Sequence, residues 1–263
     1  MANSIITMSD HDNGIIRLTL NQPEIHNAFD DKLIAELTVA LKELDKDPDV
    51  RVLILDAVGK SFSAGADLNW MRRMADYSQE QNFQDSLNLA GLMSTLYKMK
   101  CPTIAAVQGA AFGGGVGLVA CCDIAIASEK ASFCLSEVKL GIIPAVISPY
   151  VVKAIGERAA KRYFVTAERF SANRALELGL ISEVVSVDTI ADKVLSIAER
   201  ITNNGPEAVF EAKDLINKVV DQPIDGQLSS MTASRIAFIR ASEQGKEGIS
   251  AFLENRKPDW DQE

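Results

Sequence analysis

Two short stretches of this chain are suited to chemistry by the backbone rather than by side chains. They are Ser61-Phe62-Ser63-Ala64-Gly65-Ala66-Asp67-Leu68 and Ala111-Phe112-Gly113-Gly114-Gly115. Each reads as the turn from a strand into a helix. The first N–H groups of a helix have no partner within it, and the helix dipole favours negative charge there. Small residues let a ligand approach the backbone closely. Two such turns facing one another can hold a developing oxyanion from two sides, one donor being worth about 3–4 kcal/mol of transition-state stabilisation. The same spacing also suits two ordinary strand-to-helix turns, and it specifies no substrate.

A different chemistry is written in the same glycines. Gly115-Val116-Gly117-Leu118-Val119-Ala120 fits the G-x-G-x-x-A fingerprint of a dinucleotide site. That site needs a full crossover helix and an acidic residue about 20 residues on, closing the next strand. Here the next strand is expected from Asp123, which leaves too few residues for a crossover helix, and Glu137 falls beyond that strand. The spacing argues against a nucleotide.

The elements that must position these turns follow from periodicity. Ser4–Met8 and Ile15–Leu20 read as strands around a turn, Asp10–Gly14. A helix is expected from Asp30 or Asp31 to Asp45, with Leu33, Ile34, Leu37, Leu41 and Leu44 as its apolar stripe and Pro48 beyond its end. Val50–Val58 is a nearly continuous apolar run, which predicts a strand buried on both faces. A helix over roughly Ser78–Met99, a strand Thr103–Val107, a short helix from the glycine run to Cys122 and a strand Asp123–Ala127 complete an α/β pattern. Ser171 reads as an N-cap, Gly179 as a helix C′ residue and Ser182–Val187 as a late strand. Four helices are then expected: Thr189–Thr202, Pro206–Val220, Leu228–Ala241 and Gly245–Asn255. The composition divides into an α/β core, 1–187, and a helical C-terminal region, 188–263.

Composition narrows the function classes. The chain has 263 residues, 47% hydrophobic and 24% charged, the balance of a globular protein of one large domain. A net charge of −9 opposes binding to nucleic acid or an anionic membrane, so an anionic ligand needs a local cluster to hold it. No apolar run of about 18 residues predicts a membrane span. The N-terminus carries no signal-peptide pattern. The four cysteines (Cys101, Cys121, Cys122, Cys134) form no C-x-x-C and only two histidines, His11 and His26, accompany them, so no metal site is expected. Reduced thiols fit a cytoplasmic protein.

The segments "SFSAGADL", "AAVQGAAFGGGVGLVACCDIAIASEKASFCLSEVKLGIIP" and "GISAFLENRKP", in this order, resemble the crotonase (enoyl-CoA hydratase/isomerase) superfamily. The resemblance runs from "LNQPEIHNAF" to "RKPDW". The stretch Ala145–Tyr150 and "ERAAKRYFVTAERF" look like the bacterial methylglutaconyl-CoA hydratase branch. The implied fold is α/β, a ClpP/crotonase-like spiral of ββα units forming two near-perpendicular sheets, with a helical C-terminal trimerisation region and a homotrimer or homohexamer as assembly. The implied oxyanion hole is the N–H of Ala66 and of Gly114, receiving a thioester carbonyl. Ala64, with the backbone of Ile25 and His26, would lie against the coenzyme A adenine. Phe252 and Lys257 resemble positions that reach coenzyme A, often that of a neighbouring subunit. Coenzyme A enters as part of the acyl-CoA substrate, and no separate cofactor is implied.

The pattern also departs from its relatives. Two-carboxylate hydratases of this family carry acids at the positions that correspond here to Gly117 and Glu137. Only the second is an acid in this chain. The implied catalyst is Glu137 alone, orienting water, taking its proton and delivering it to the α-carbon, with burial expected to raise its pKa. The vacant position at Gly117 is expected to make room for a branched β-carbon and to remove a charge that would repel a second carboxylate on the substrate. The implied reaction is hydration or dehydration of a branched, dicarboxylic enoyl-CoA of the 3-methylglutaconyl type. Alternatives left open are Δ3-Δ2 enoyl-CoA isomerisation, another acyl-CoA reaction on the same oxyanion hole (decarboxylation or thioester hydrolysis), and a non-catalytic CoA- or RNA-binding protein. Asp67 is expected to cap the following helix and Asp123 to close a turn. Arg72 and Arg73 could meet phosphates or only solvent, and Trp70 and Met71 could line a pocket or the core.

Overall fold

The computed structural model describes residues 4–261. β1 (Ile6–His11) and β2 (Ile15–Leu20) form the expected hairpin, with β1 running closer to the turn than hydropathy suggested. Its register from Ile6↔Leu20 to His11↔Ile15 carries pairing through polar residues to a 3-10 turn, Asp12–Gly14. β3 (Val52–Ala57), β5 (Thr103–Val107), β7 (Ile124–Ser128) and β10 (Glu183–Val185) continue the sheet in the order β1-β2-β3-β5-β7-β10, parallel from β2 onward.

A second sheet, ordered β4-β6-β8-β9, is made of very short strands: β4 (Ser61–Ser63), β6 (Ala110–Phe112), β8 (Ser132–Cys134) and β9 (Phe170–Ser171). Periodicity gave no sign of these strands, because three residues are too few to show alternation. Each of the first three follows a strand of the large sheet and leads into helix. β3–β4 is followed by α2 (Leu68–Ala75) and α3 (Gln79–Tyr97), and β5–β6 by α4 (Gly114–Cys121). β7–β8 is followed by a 3-10 turn, Glu137–Leu140, and α5 (Ser148–Thr166), whose helical geometry breaks at Gly156. The repeated unit is ββα, as expected of a crotonase spiral. α1 (Asp31–Leu44) starts within the expected range, capped by the Asp30 carboxylate, which accepts from Leu33 N–H, and all five residues of its stripe are buried.

The corners between the two sheets are stacked and cross-linked by side-chain amides. Gln108 Nε2 donates to the carbonyls of Ala57, Gly59 and Ser61, at 2.8, 3.1 and 3.1 Å. Ser128 Oγ donates to the Gln108 carbonyl at 2.7 Å, tying in the third corner. Asn27 Nδ2 donates to Val58 O and Ser61 O, both at 2.9 Å, and its Oδ1 accepts from Gln22 N–H. Gly109 lets two corners touch, since a Cβ there would lie 2.0 Å from Lys60 O. Asp123 holds the neighbouring turn as expected, accepting from Thr103 N–H and Oγ1 and pairing with Lys213 Nζ at 2.6 Å.

β3 is covered on both faces. Leu53 and Leu55 join the inner core, while Val52 and Ile54 meet Ile190, Val194 and Ala198. Those three lie on α7 (Ile190–Thr202), reached through α6 (Ala172–Leu178), which the Ser171 side chain caps and a left-handed Gly179 ends. The expected division at residue 188 therefore cuts α7 from a sheet whose outer face it closes. Three helices follow: α8 (Pro206–Val219), tied to the core by Lys213, α9 (Gly226–Ala241) and α10 (Glu243–Glu254), in which Ala251 is the buried residue. No described helix is long and apolar enough to cross a membrane.

Asn27 is fully buried with φ 53°, a left-handed conformation that asparagine tolerates better than alanine. Asn27→Ala is expected to cost about 3 kcal/mol or more, combining lost hydrogen bonds, an unpaired buried carbonyl and backbone strain. Asn27→Gly removes the strain and should retain most of that cost. Urea unfolding measures both, and a cost below about 1 kcal/mol in Asn27→Gly would show that the amide does not hold the corner.

Candidate active site

The loop after β4 is pinned by its neighbour at Phe29. Phe29 N–H donates to Gly65 O at 2.6 Å and Phe29 O accepts from Asp67 N–H at 2.8 Å, a parallel bridge centred on Ala66. In such a bridge the central residue turns its own N–H to the opposite side. Ala66 is exposed, and among the described residues its N–H meets no protein acceptor. Asp67 caps α2, its carboxylate accepting from Asn69 and Trp70 N–H at 2.8 and 2.9 Å. Trp70 is buried and donates to Asp85, so it belongs to the packing of α2 on α3. Arg72 reaches Asn69 and Arg73 pairs with Asp31, both on the exposed side of α2.

The second loop meets the first at glycine. Gly113 has φ 48° and ψ −117°, a conformation for glycine, and its N–H is spent on Cys134 O of β8 at 2.9 Å. A Cβ on Gly113 would stand 3.1 Å from Glu137 Oε1 and 3.8 Å from Gly65 Cα. Conversely, a Cβ on Gly65 would stand 3.2 Å from Phe112 O. Gly114 opens α4, and its N–H likewise meets no protein acceptor among the described residues. The two loops and the acid therefore converge on the space beside Gly113, with Ala66 and Gly114 each one residue further along.

Glu137 starts the 3-10 turn after β8. Its Oε2 is buried and has no hydrogen-bond partner among the described residues. Desolvation pushes its carboxyl above the ordinary carboxylate range, opposed by a bond from its own backbone N–H. A carboxyl group so held readily changes protonation state and has an oxygen free for water or substrate. Unpaired N–H donors beside it can receive an oxygen that gains negative charge.

The sequence profile of the Enoyl-CoA hydratase/isomerase family matches residues 10–263. This chain belongs to that family. The crotonase is 50% identical to a crotonase-type protein of Legionella pneumophila, whose crystal structure aligns over 98% of this chain and 100% of that one with a TM-score of 0.95. The crystal structure of an enoyl-CoA hydratase from Shewanella pealeana aligns at 47% identity over 98% and 97% of the two chains, with a TM-score of 0.94. The mitochondrial enoyl-CoA hydratase of Pongo abelii is 34% identical over 246 residues, 92% of this chain and 82% of that one. The dinucleotide reading is set aside. α4 has eight residues and is preceded by β6 of the small sheet, so no crossover helix follows the fingerprint.

The crotonase brings Ala64 and His26 together, Ala64 N–H donating to His26 O at 2.9 Å, with Ile25 adjacent in a 3-10 turn. His26 Nδ1 lies 3.1 Å from Ser61 Oγ. Phe252 is 81% exposed near the end of α10, which packs chiefly on α8 and α9, and Lys257 follows that helix. Neither of those elements is part of the loops around Gly113.

The vacant position is not open space. A Cβ on Gly117 would lie 2.3 Å from Ile147 Cγ2 and 3.1 Å from Met93 Cε. The expectation that Gly117 leaves room for a substrate branch is corrected: Ile147 fills that room. Sequence reasoning missed Ile147 and Phe29, and its usable signal was a glycine in a helix interior, which often marks a close neighbour.

The raised carboxyl has a consequence for stability. The native state favours protonated Glu137 more than the unfolded chain does, so its contribution is full below the unfolded pKa, about 4.3, and is lost as pH rises through the raised native value. Glu137→Gln, neutral at every pH, should therefore raise Tm at pH 8 and leave it nearly unchanged near pH 4. Calorimetry that finds no gain at pH 8 would contradict the burial described. Gly113→Ala should lower kcat, because a Cβ there is strained at φ 48° and presses on Glu137 Oε1 from 3.1 Å. Unchanged steady-state kinetics would count against that contact.

Proposed function

We propose that this crotonase hydrates, or in reverse dehydrates, a branched dicarboxylic enoyl-CoA of the 3-methylglutaconyl type. In this reading the Ala66 and Gly114 N–H groups receive the thioester oxygen. Polarising that carbonyl draws electrons from the conjugated double bond, and hydroxide addition at the β-carbon leaves an enolate whose charge rests on the same oxygen. Glu137 takes a proton from the attacking water and returns it to the α-carbon. In dehydration the same carboxyl removes the α-proton and protonates the departing hydroxyl. The observation that carries the reading is the half-buried Glu137 carboxyl, its Oε2 enclosed and unpartnered among the described residues, set against Gly113 where the two loops meet.

A dicarboxylic substrate is supported by the apolar character of the position one helical turn beyond Gly114. Gly117 and Ile147 place no carboxylate there to repel a second charge on the acyl group. Ala64, Ile25 and His26 form one patch that suits the adenine of coenzyme A, held together by the Ala64 N–H bond to His26 O. No cofactor beyond coenzyme A, as part of the substrate, enters this reading. Exposed Phe238, Phe252 and Leu253 on the C-terminal helices support a homotrimer or homohexamer in which Phe252 and Lys257 reach a neighbour's coenzyme A. The four free thiols, three of them buried, support a cytoplasmic enzyme.

One observation also favours Δ3-Δ2 isomerisation. A single acid among apolar neighbours suffices to move one proton between two carbons. Reaction in ¹⁸O-labelled water separates the two: hydration places label in the 3-hydroxyacyl product, and isomerisation incorporates none.

Glu137→Gln is expected to lower kcat about 10²–10⁴-fold with acyl-CoA affinity nearly unchanged. Absorbance of the conjugated thioester across a panel including 3-methylglutaconyl-CoA measures the first, and calorimetric titration the second. Retained turnover would remove Glu137 from the chemistry. The acid limb of kcat/KM for hydration should fall above the usual glutamate value of about 4.3, because the base must be ionised and burial opposes that. A limb at or below that value would contradict the assignment.

A further inference from the structure

We infer that Ile147, seated over Gly117, is the specificity-determining wall of the acyl chamber beside Glu137, fixing the size of the β-carbon substituent it accepts. The inference rests on the oxyanion reading above and extends it to the acyl group. Gly114 and Gly117 are three residues apart on α4 and so share a face. Whatever covers Gly117 therefore stands one turn from the amide assigned to the thioester. That cover is Ile147, 2% exposed.

The fit between the two residues is rigid. The atoms of Ile147 nearest the missing Cβ are Cγ2 at 2.3 Å and Cβ at 3.0 Å, not the far end of a flexible chain. Branching at Cβ also restricts the first side-chain torsion. The backbone is held as well: Tyr150 and Val151 N–H donate to Ile147 O at 3.2 and 3.1 Å, and Ser148 Oγ donates to Ala145 O at 2.7 Å. Proline flanks the segment at Pro144 and Pro149. Met93 Cε lies 3.1 Å from the same Cβ position, and Met93 in turn packs on Cys121, their sulfurs 3.8 Å apart.

The surroundings are hydrocarbon. Between Glu137 and Ile147 the chain reads Val-Lys-Leu-Gly-Ile-Ile-Pro-Ala-Val, with Lys139 its one charged residue, and Ile143 is 70% exposed. A substrate group meeting this wall is met by apolar atoms of fixed shape. That selects a small alkyl branch such as methyl at the β-carbon.

Four variants test this: Ile147→Val, Ile147→Ala, Gly117→Ala and the double variant Gly117→Ala/Ile147→Ala. Each is assayed with enoyl-CoAs carrying hydrogen, methyl, ethyl or propyl at the β-carbon, and each is melted. Ile147→Ala should raise the kcat/KM ratio of propyl over methyl substrate by about 10-fold or more, with Ile147→Val in between. Gly117→Ala should lower Tm by roughly 3–10 °C, and Ile147→Ala in the same chain should return most of that loss. Unchanged substrate ratios in both Ile147 variants of an active enzyme would overturn the inference, as would a Gly117→Ala melt equal to the parent's. If the parent turns over neither a member of the panel nor 3-methylglutaconyl-CoA, the proposed reaction fails instead. The melting cycle then still reads the Gly117–Ile147 fit by itself.

Discussion

The site depends on a place where no side chain can stand. At Gly113 the backbone takes a conformation for glycine, and the volume of its absent Cβ is bounded by Gly65 on one side and the Glu137 carboxyl on the other. Two loops distant in sequence can touch there because both are glycine at the contact. The following residues, Ala66 and Gly114, present unpaired N–H groups, and the acid lies against the same point. A Cβ at this position would press on the Glu137 carboxylate and strain the backbone, and glycine avoids both.

The rest of the fold holds that contact closed. The small sheet is too short to be stable by its own ladders, and side-chain amides from Asn27 and Gln108 fasten its corners to the large sheet. Both reach Ser61, the first residue of β4, so the position of the Ala66 loop is set by the same polar stack that turns one sheet into the other. Phe29 adds a second anchor through its bridge to Ala66 and packs against Gly114, whose Cβ would lie 3.3 Å from the ring. A buried, unpaired carboxyl is unfavourable in such a place, and its raised pKa expresses that cost. Function here draws on stability that the corners and the core supply.

Much of the large sheet was legible in the sequence because its elements are long or strongly patterned. The stripe of α1, the continuous apolar run of β3 and the cap at Ser171 announce themselves locally. The small sheet was not, since its strands are defined by partners rather than by pattern. The place of α7 was also hidden: its apolar face, Ile190, Val194 and Ala198, reads the same whether it covers a sheet or another helix. At the site, the donor loops were visible as types of residue, while their meeting at Gly113 and the filling of Gly117 by Ile147 are contacts between segments. A glycine records that something comes close but not what.

The most direct measurement of the central claim is a crystal structure with an unreactive acyl-CoA thioester bound. The account expects the thioester oxygen about 2.7–3.1 Å from both the Ala66 and the Gly114 nitrogens. It also expects the α- and β-carbons to lie within one water's reach of Glu137 Oε2. A thioester oxygen paired with other donors, or with only one of these two, would contradict it.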